Sequence, residues 1–390
     1  MTTAEVQNDD FAAALGISDL DDFDPRVLQS QYADDAGLWA LLGQVTDEAG
    51  VATGELLNVD ISGQGVNGAG SVGLLQGITG AGKSNMLGGI ILSLAARYSP
   101  ERVNFVLLNV GSHSGLQHLP HVVASSGYSD AGVAFETEAS NMLRAEITRR
   151  ETLIAVVAGV RDLGEYRVVQ ESRSDLPLLP TLVVIADEFG NTDSDGELGK
   201  TLELVSRKGR SLGIKLLISG QHLDARQIAR LQTNKSIGIS LRSADHASSN
   251  AVIGTPEAAS LPLGKGDAIL RQWESGITTS FRALPALPHL GPENARSLPE
   301  RLSLIREVLP PESSVFAPNP SNRSQTAILV TLTATSTPPL ADQVPVSGLL
   351  IIDEPTKAGA ITSAAFRVRE NDGTYGALIQ ISDPEFLYRP

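Results

Sequence analysis

Eight consecutive residues, Gly77-Ile78-Thr79-Gly80-Ala81-Gly82-Lys83-Ser84, fit the pattern G-x-x-x-x-G-K-[ST] at every fixed position. The chemistry of that pattern is phosphate binding. Glycines let main-chain N–H groups turn inward around phosphate oxygens, and a helix opening at Lys83 adds partial positive charge. Lys83 has the reach for β/γ-phosphates, and the Ser84 hydroxyl is a ligand for Mg²⁺. With Asn85 next in the first helical turn, Gly77 through Asn85 form the expected nucleotide-contacting set. An apolar run, Val72-Gly73-Leu74-Leu75, precedes the loop. Strand, glycine-rich loop and helix is the context the motif requires, and it points to ATP with Mg²⁺ as the ligands.

A second constellation lies about 100 residues downstream, a separation consistent with one α/β domain. In Leu182-Val183-Val184-Ile185-Ala186-Asp187-Glu188 an apolar strand ends in adjacent carboxylates. Asp187 would hold Mg²⁺ opposite Ser84, and Glu188 would polarise the attacking water. Both would emerge at the carboxyl end of a strand, where open α/β sheets bind ligands. A third segment, Leu216-Leu217-Ile218-Ser219-Gly220-Gln221-His222, sets Gln221 just past a buried strand. There it would meet the γ-phosphate or the lytic water, unless it is simply a polar strand end. Ser206-Arg207-Lys208-Gly209-Arg210 combines cations with glycine, as does the neighbourhood of Arg242. Such a cation can enter a neighbouring subunit's site and neutralise transition-state charge. One sequence does not separate Arg207, Arg210 and Arg242 from surface salt-bridge residues; Arg210 is the catalytic candidate assigned here.

The elements that must position these residues read as alternating strands and helices. Strands are expected at 72–76, 103–110, 181–186, 215–219 and 237–241, and helices at 83–98, 135–157, 198–212 and 244–253. That alternation predicts an α/β fold with a mostly parallel sheet flanked by helices. Gly88-Gly89 inside the first helix costs about 1 kcal/mol per glycine relative to alanine, which tight packing against the sheet would offset. Past residue 284 the texture changes to repeated prolines and short strand-like runs at 327–332, 349–353 and 375–381. Three parts are expected: a poorly ordered acidic segment 1–36, a nucleotide-binding domain 37–284, and a Pro-rich linker with a small β-containing appendage 285–390.

The chain has 390 residues and a net charge of −15. Residues 1–60 hold thirteen acids and one base, so the remainder is almost neutral. Neither part resembles a basic nucleic-acid surface, although Arg144, Arg149, Arg150, Arg161, Arg167 and Arg173 cluster in one segment. Cysteine is absent, which excludes disulfides and thiolate metal sites. His118 and His121 flank Pro120 and read as loop residues rather than a zinc pair. No apolar run approaches the roughly 20 residues of a membrane span, and the N-terminus lacks the pattern of a secretory signal.

Several longer stretches carry a family resemblance. Ser99-Pro100-Glu101-Arg102-Val103-Asn104-Phe105-Val106-Leu107-Leu108, Gly115-Leu116-Gln117-His118-Leu119-Pro120-His121-Val122 and Glu146 to Leu153 are similar to motifs of the FtsK/SpoIIIE family of hexameric ATPases. Gly209 to Arg226 and Ile239 to Pro262 resemble, within that family, the EccC component of type VII secretion systems. The resemblance covers about residues 15 to 285 and most resembles the first of several ATPase domains in series. It implies a RecA-like P-loop ATPase working in a ring or hexamer with other ATPase domains of its kind. It also implies a cytoplasmic place beside a membrane secretion complex, reached through parts absent from this chain, and export of small helical-hairpin proteins. Two departures stand out. The family's DFKGG is Asn109-Val110-Gly111-Ser112-His113, and its QR pair is Gln221-His222. Both remove charge near the γ-phosphate and count against efficient hydrolysis. Two alternatives therefore stay open: a DNA translocase of the same superfamily, and a nucleotide-bound regulatory or assembly module with little turnover.

Overall fold

The protein was analysed as a computed structural model, which describes residues 11–62, 70–110, 115–125, 133–173, 175–189, 196–223, 225–231, 235–287 and 297–303, and four later strands. It forms two compact units, Met1–Val315 and Phe316–Pro390.

The first unit is built on a ten-stranded sheet. In chain order its elements are α1 (Phe11–Ala14), α2 (Pro25–Gln31), β1 (Trp39–Thr46), β2 (Ala52–Asp60), β3 (Val72–Gln76), α3 (Lys83–Arg97), β4 (Val103–Leu108), β5 (Val122–Ser125), α4 (Val133–Ala155), α5 (Leu163–Ser172) and β6 (Thr181–Ala186). There follow α6 (Glu197–Leu212), β7 (Ile214–Gly220), α7 (Ala225–Leu231), β8 (Lys235–Ser240), α8 (His246–Ile253), β9 (Asp267–Gln272), β10 (Thr278–Ala283) and α9 (Leu298–Ser303). Across the sheet the order is β2-β1-β10-β9-β8-β3-β7-β6-β4-β5. The strands β8, β3, β7, β6, β4 and β5 run parallel, while β2, β1, β10 and β9 add an antiparallel half.

The expected α/β architecture is present, and the five foreseen strands all lie in the parallel half. Continuous burial of β3, β4 and β6 explains why they read as unbroken apolar runs. The antiparallel half escaped the sequence reading. Its outer strand β2 is largely exposed, so it carries polar and charged residues where an apolar run was sought. Strand β4 ends two residues earlier than expected because Asn109 turns left-handed, at φ 57°.

Connectivity places the site. From β3 the chain crosses through α3 over two strands to β4, whereas from β7 it crosses through α7 the other way, to β8. Right-handed crossovers in opposite directions put α3 on one face and α6 and α7 on the other. The crevice opened between the carboxyl ends of β3 and β7 is where such sheets bind ligands.

Three expectations about the chain's organisation are corrected. Residues 1–10 lie outside the described residues, but the rest of the acidic segment is packed. Phe11, Leu15, Ile17 and Leu28 are buried in the core shared with α3, and Asp24 caps α2 through the Arg26 amide. Apolar residues spaced among acids supplied that core face. The domain also does not end at 284, since Leu284, Ala286, Leu298 and Leu302 are buried in the same core. Finally, Gly88 and Gly89 do not fit the sheet. A Cβ at Gly88 would meet the Leu287 side chain at 2.5 Å, and one at Gly89 would meet Ala286 at 3.4 Å and Phe11 at 3.5 Å. The missing side chains admit the segment that follows β10.

The second unit contains a four-stranded antiparallel sheet in the order β11 (Gln325–Leu332), β12 (Val346–Asp353), β13 (Ala364–Arg369) and β14 (Tyr375–Ile381). Three of these strands were expected, and β13 was not. The prolines at 288, 292, 310, 311, 318, 320, 338 and 339 lie outside the described residues.

Candidate nucleotide site

Strand β3 delivers the glycine-rich loop to the crevice. Gly80 (φ 80°) and Gly82 (φ 103°) both adopt left-handed backbone, which an L side chain at either position would oppose. Part of the loop is spent on holding itself in place. The amide of Gly77 donates to the Gly220 carbonyl (3.3 Å), that of Ile78 to Arg242 (2.9 Å), and that of Ala81 back to Ile78 (3.0 Å). Among the described residues, the amides of Gly80, Gly82, Lys83 and Ser84 find no main-chain acceptor, the first helical bond there running from Met86 to Gly82. These are the donors free to receive an anion.

Lys83 is buried, and its Nζ donates to Asp187 Oδ1 at 2.6 Å and to Glu188 Oε1 at 2.8 Å. Loop and strand-end carboxylates are thus brought together from opposite sides of the crevice. Burial disfavours the Lys83 ammonium, but the bonds to Asp187 and Glu188 outweigh it and raise its pKa above the ordinary lysine value. Asp187 Oδ1 also accepts from Ser219 Oγ (2.7 Å) and from the Glu188 amide (2.9 Å). Glu188 itself is left-handed, at φ 52°. Asn109, the other non-glycine residue in that conformation among the described residues, follows β4 next door, where the Asp187 amide donates to the Leu108 carbonyl at 2.9 Å. Strained backbone of this kind persists where the surroundings over-determine it, commonly at functional sites.

Gln221 joins the cluster. Thr79 Oγ1 donates to Gln221 Oε1 (2.8 Å), and Gln221 Nε2 lies 3.4 Å from Glu188 Oε1. Ser84 is exposed at the helix start. Asp187 Oδ2 takes no bond from the described residues, so Ser84 and Asp187 offer the hard oxygen donors that Mg²⁺ prefers. Among the described residues no group of three or more His, Asp or Glu stands ready to hold a metal alone. An ion shared with phosphate oxygens is what this donor set fits.

Two expected site residues lie elsewhere. Asn85 does not face the phosphate crevice. Its Nδ2 donates to the Leu284 carbonyl (2.7 Å), and its Oδ1 accepts from the amides of Ala286 (2.8 Å) and Leu287 (3.2 Å). The side chain is consumed by the strap that Gly88 and Gly89 admit. Arg210 is exposed in the last turn of α6, leading into β7, and so sits at the sheet rim opposite its own loop. Of the rival cations, Arg207 pairs with Glu203 (3.1 Å) and Arg242 donates to the Leu261 carbonyl (2.6 Å). His222 stands beside Ser248 Oγ, with Nδ1 at 3.1 Å. Gly111, Ser112 and His113 lie outside the described residues. Ser219 was missed by the sequence reading, because one serine closing an apolar strand carries no signal of its own.

The arginine cluster weighed for nucleic acid is mostly spoken for. Arg149 and Arg150 both pair with Glu146, Arg161 with Glu165, and Arg173 with Asp175. Arg167 donates to the Leu179 carbonyl and to Thr181 Oγ1, each at 3.0 Å.

Comparison with known proteins places this geometry inside a recognised domain. The FtsK/SpoIIIE family profile matches residues 50–224, a span that includes the loop, the carboxylate pair and Gln221. Residues 50–224 thus carry an FtsK/SpoIIIE-family domain. It is 29% identical over 263 residues to the ESX secretion system protein EccC of Thermomonospora curvata, covering 66% of this chain and 20% of that protein. It is 34% identical over 219 residues to the ESX-1 secretion system protein EccCa1 of Mycobacterium tuberculosis, covering 53% of this chain and 29% of the relative. The solved cytoplasmic domain of the Thermomonospora curvata type VII secretion ATPase EccC superposes with a TM-score of 0.68 at 26% identity, over 79% of this chain and 36% of that one. The fold is therefore that of a RecA-like P-loop ATPase, and the chain is homologous to EccC ATPase domains. It spans less than a third of the length of these curated relatives.

Proposed function

We propose that this chain binds ATP with Mg²⁺, hydrolyses it, and serves as an ATPase module of a type VII protein-export machine. The observation that carries the reading is Lys83 lying within 2.8 Å of both Asp187 and Glu188. A triphosphate entering the crevice offers oxygens that compete for the Lys83 ammonium, while the amides of Gly80, Gly82, Lys83 and Ser84 receive its phosphates. Released from Lys83, Glu188 is free to accept a proton from an attacking water, and Gln221 is placed to orient that water. Mg²⁺, held by Ser84 and Asp187, would neutralise charge on the β- and γ-phosphate oxygens. Arg210, on the far rim, is suited only to a neighbouring subunit's site, as a ring of ATPase domains would provide.

Homology to EccC supports export as the work done, with helical-hairpin proteins as cargo. The same homology supports docking to a membrane secretion complex on its cytoplasmic side. Duplex DNA is disfavoured as cargo, because five of the six clustered arginines are engaged within the chain. The reading of a nucleotide-bound assembly module with slow turnover keeps one observation in its favour. His222, standing where the family carries arginine, is turned to Ser248 rather than to the carboxylates.

ATP affinity and turnover of the intact chain and of Glu188→Gln separate these readings. The ATPase reading predicts that the variant binds ATP at least as tightly and loses turnover by 100-fold or more, roughly the loss of a general base. Equal turnover in both proteins removes Glu188 from the chemistry. Tight binding with no turnover in the intact chain favours the assembly module.

A further inference from the structure

Resting on the nucleotide reading above, we propose that Ser219 is a positioning residue that keeps the Asp187 carboxylate aimed at the metal once Lys83 has moved to the nucleotide. Three donors converge on Asp187 Oδ1: Lys83 Nζ at 2.6 Å, Ser219 Oγ at 2.7 Å and the Glu188 amide at 2.9 Å. They are not equivalent. Lys83 rides on the glycine-rich loop and α3, and phosphate oxygens compete for its ammonium. Ser219 and the Glu188 amide belong to the sheet and stay behind.

The register explains the contact. Strand β7 lies between β3 and β6, with Ser219 opposite Leu75 and Ile218 opposite Ala186. Alternation along the strand turns Ser219 toward the side from which Lys83 arrives, one step beyond the last β6 pair, beside Asp187. Ser219 is fully buried, and so has no water to compete with the carboxylate for its hydroxyl proton. A hydrogen bond to an ionised acceptor in such a place is among the stronger kinds. With Oδ1 held, Oδ2 is the oxygen left to face the ion. Two residues further on, the same strand end places Gln221 beside Glu188. One strand terminus therefore braces both carboxylates, each through its own side chain.

The test is a Mg²⁺ titration of fluorescent ATP-analogue binding to the full chain, for the wild type, Ser219→Ala, Ser219→Cys and Ser219→Thr. The Mg²⁺ concentration for half-maximal binding should rise about tenfold in Ser219→Ala, the loss of one bond to a charged acceptor. Ser219→Cys, which keeps the volume and most of the packing but is a weak donor, should show a shift in the same direction. Ser219→Thr should restore the wild-type midpoint. Binding measured in EDTA should stay unchanged in all four, because the anion-receiving amides and Lys83 are intact. The same Mg²⁺ midpoint in wild type, alanine and cysteine proteins overturns the proposal, as does an equal loss of binding in EDTA. A wild-type chain that binds no nucleotide under either condition defeats the nucleotide reading itself, and this role with it.

Discussion

The two rims of the parallel sheet both bury charged side chains, and they use them differently. At the carboxyl rim Lys83, Asp187 and Glu188 pair with one another, side chain to side chain, across separate loops. At the amino rim main-chain carbonyls at the strand entrances join the partners, beside the Glu146 carboxylate that Arg150 shares with Arg149. Arg150, fully buried, donates to the carbonyls of Leu212 (2.9 Å) and Pro180 (2.8 Å), the residues that lead into β7 and β6. Arg167 holds the carbonyl of Leu179, and His121 Nε2 lies 2.7 Å from that of Tyr98. A carbonyl fixed at a strand entrance has nowhere else to go, whereas a lysine shared by two carboxylates can be drawn off by a stronger anion. Buried charge alone does not mark a site. Exchangeable partners do.

If that contrast holds, damage at the amino rim should appear as lost stability. Arg150→Met leaves Glu146 buried beside a single arginine and strips two strand-entry carbonyls of their donor. A loss of about 3–5 kcal/mol is expected, read as a large fall in the denaturant midpoint. A midpoint near the wild-type value would break the comparison.

His121 gives a smaller effect with a defined pH window. Burial lowers its pKa to about 4 from the ordinary 6.5, so the folded state refuses a proton that the unfolded chain accepts. Between those values the unfolded state binds more protons, and stability therefore rises with pH. Acidification from pH 6.5 to 4 should cost roughly 3 kcal/mol through this one group. Unfolding of His121→Gln, compared with wild type across that range, should show a flatter slope. Identical slopes would mean that His121 does not stay neutral in the fold.

The same contrast explains what the sequence disclosed. That Lys83, Asp187 and Glu188 would meet was legible because their motifs fix residue type and place on loop and strand end, and β3 and β6 were legible because burial on both faces leaves an unbroken apolar run. Asn85 was misread because its position beside Ser84 suggested a phosphate contact. Its actual partners, the main chain at 284–287, lie about 200 residues away, where no local pattern points. Ser219 and the left-handed turn at Glu188 were invisible for a related reason: each is set by the register of neighbouring strands. The strands β2 and β10 went unread because they are largely exposed or half-buried and carry mixed polarity, while β1 and β9 hold short buried apolar runs that the reading passed over. Arg150 and Arg167, which in one dimension were only two members of an arginine cluster, are strand-entry clamps in three.

The central claim is that Lys83 trades its two carboxylates for a triphosphate, and equilibrium binding of fluorescent ATP to Lys83→Ala beside the wild type tests it most directly. The account predicts at least a 100-fold loss of affinity, about 2.7 kcal/mol, in a protein whose circular dichroism spectrum still shows the native fold. Unchanged affinity in that folded variant would contradict it.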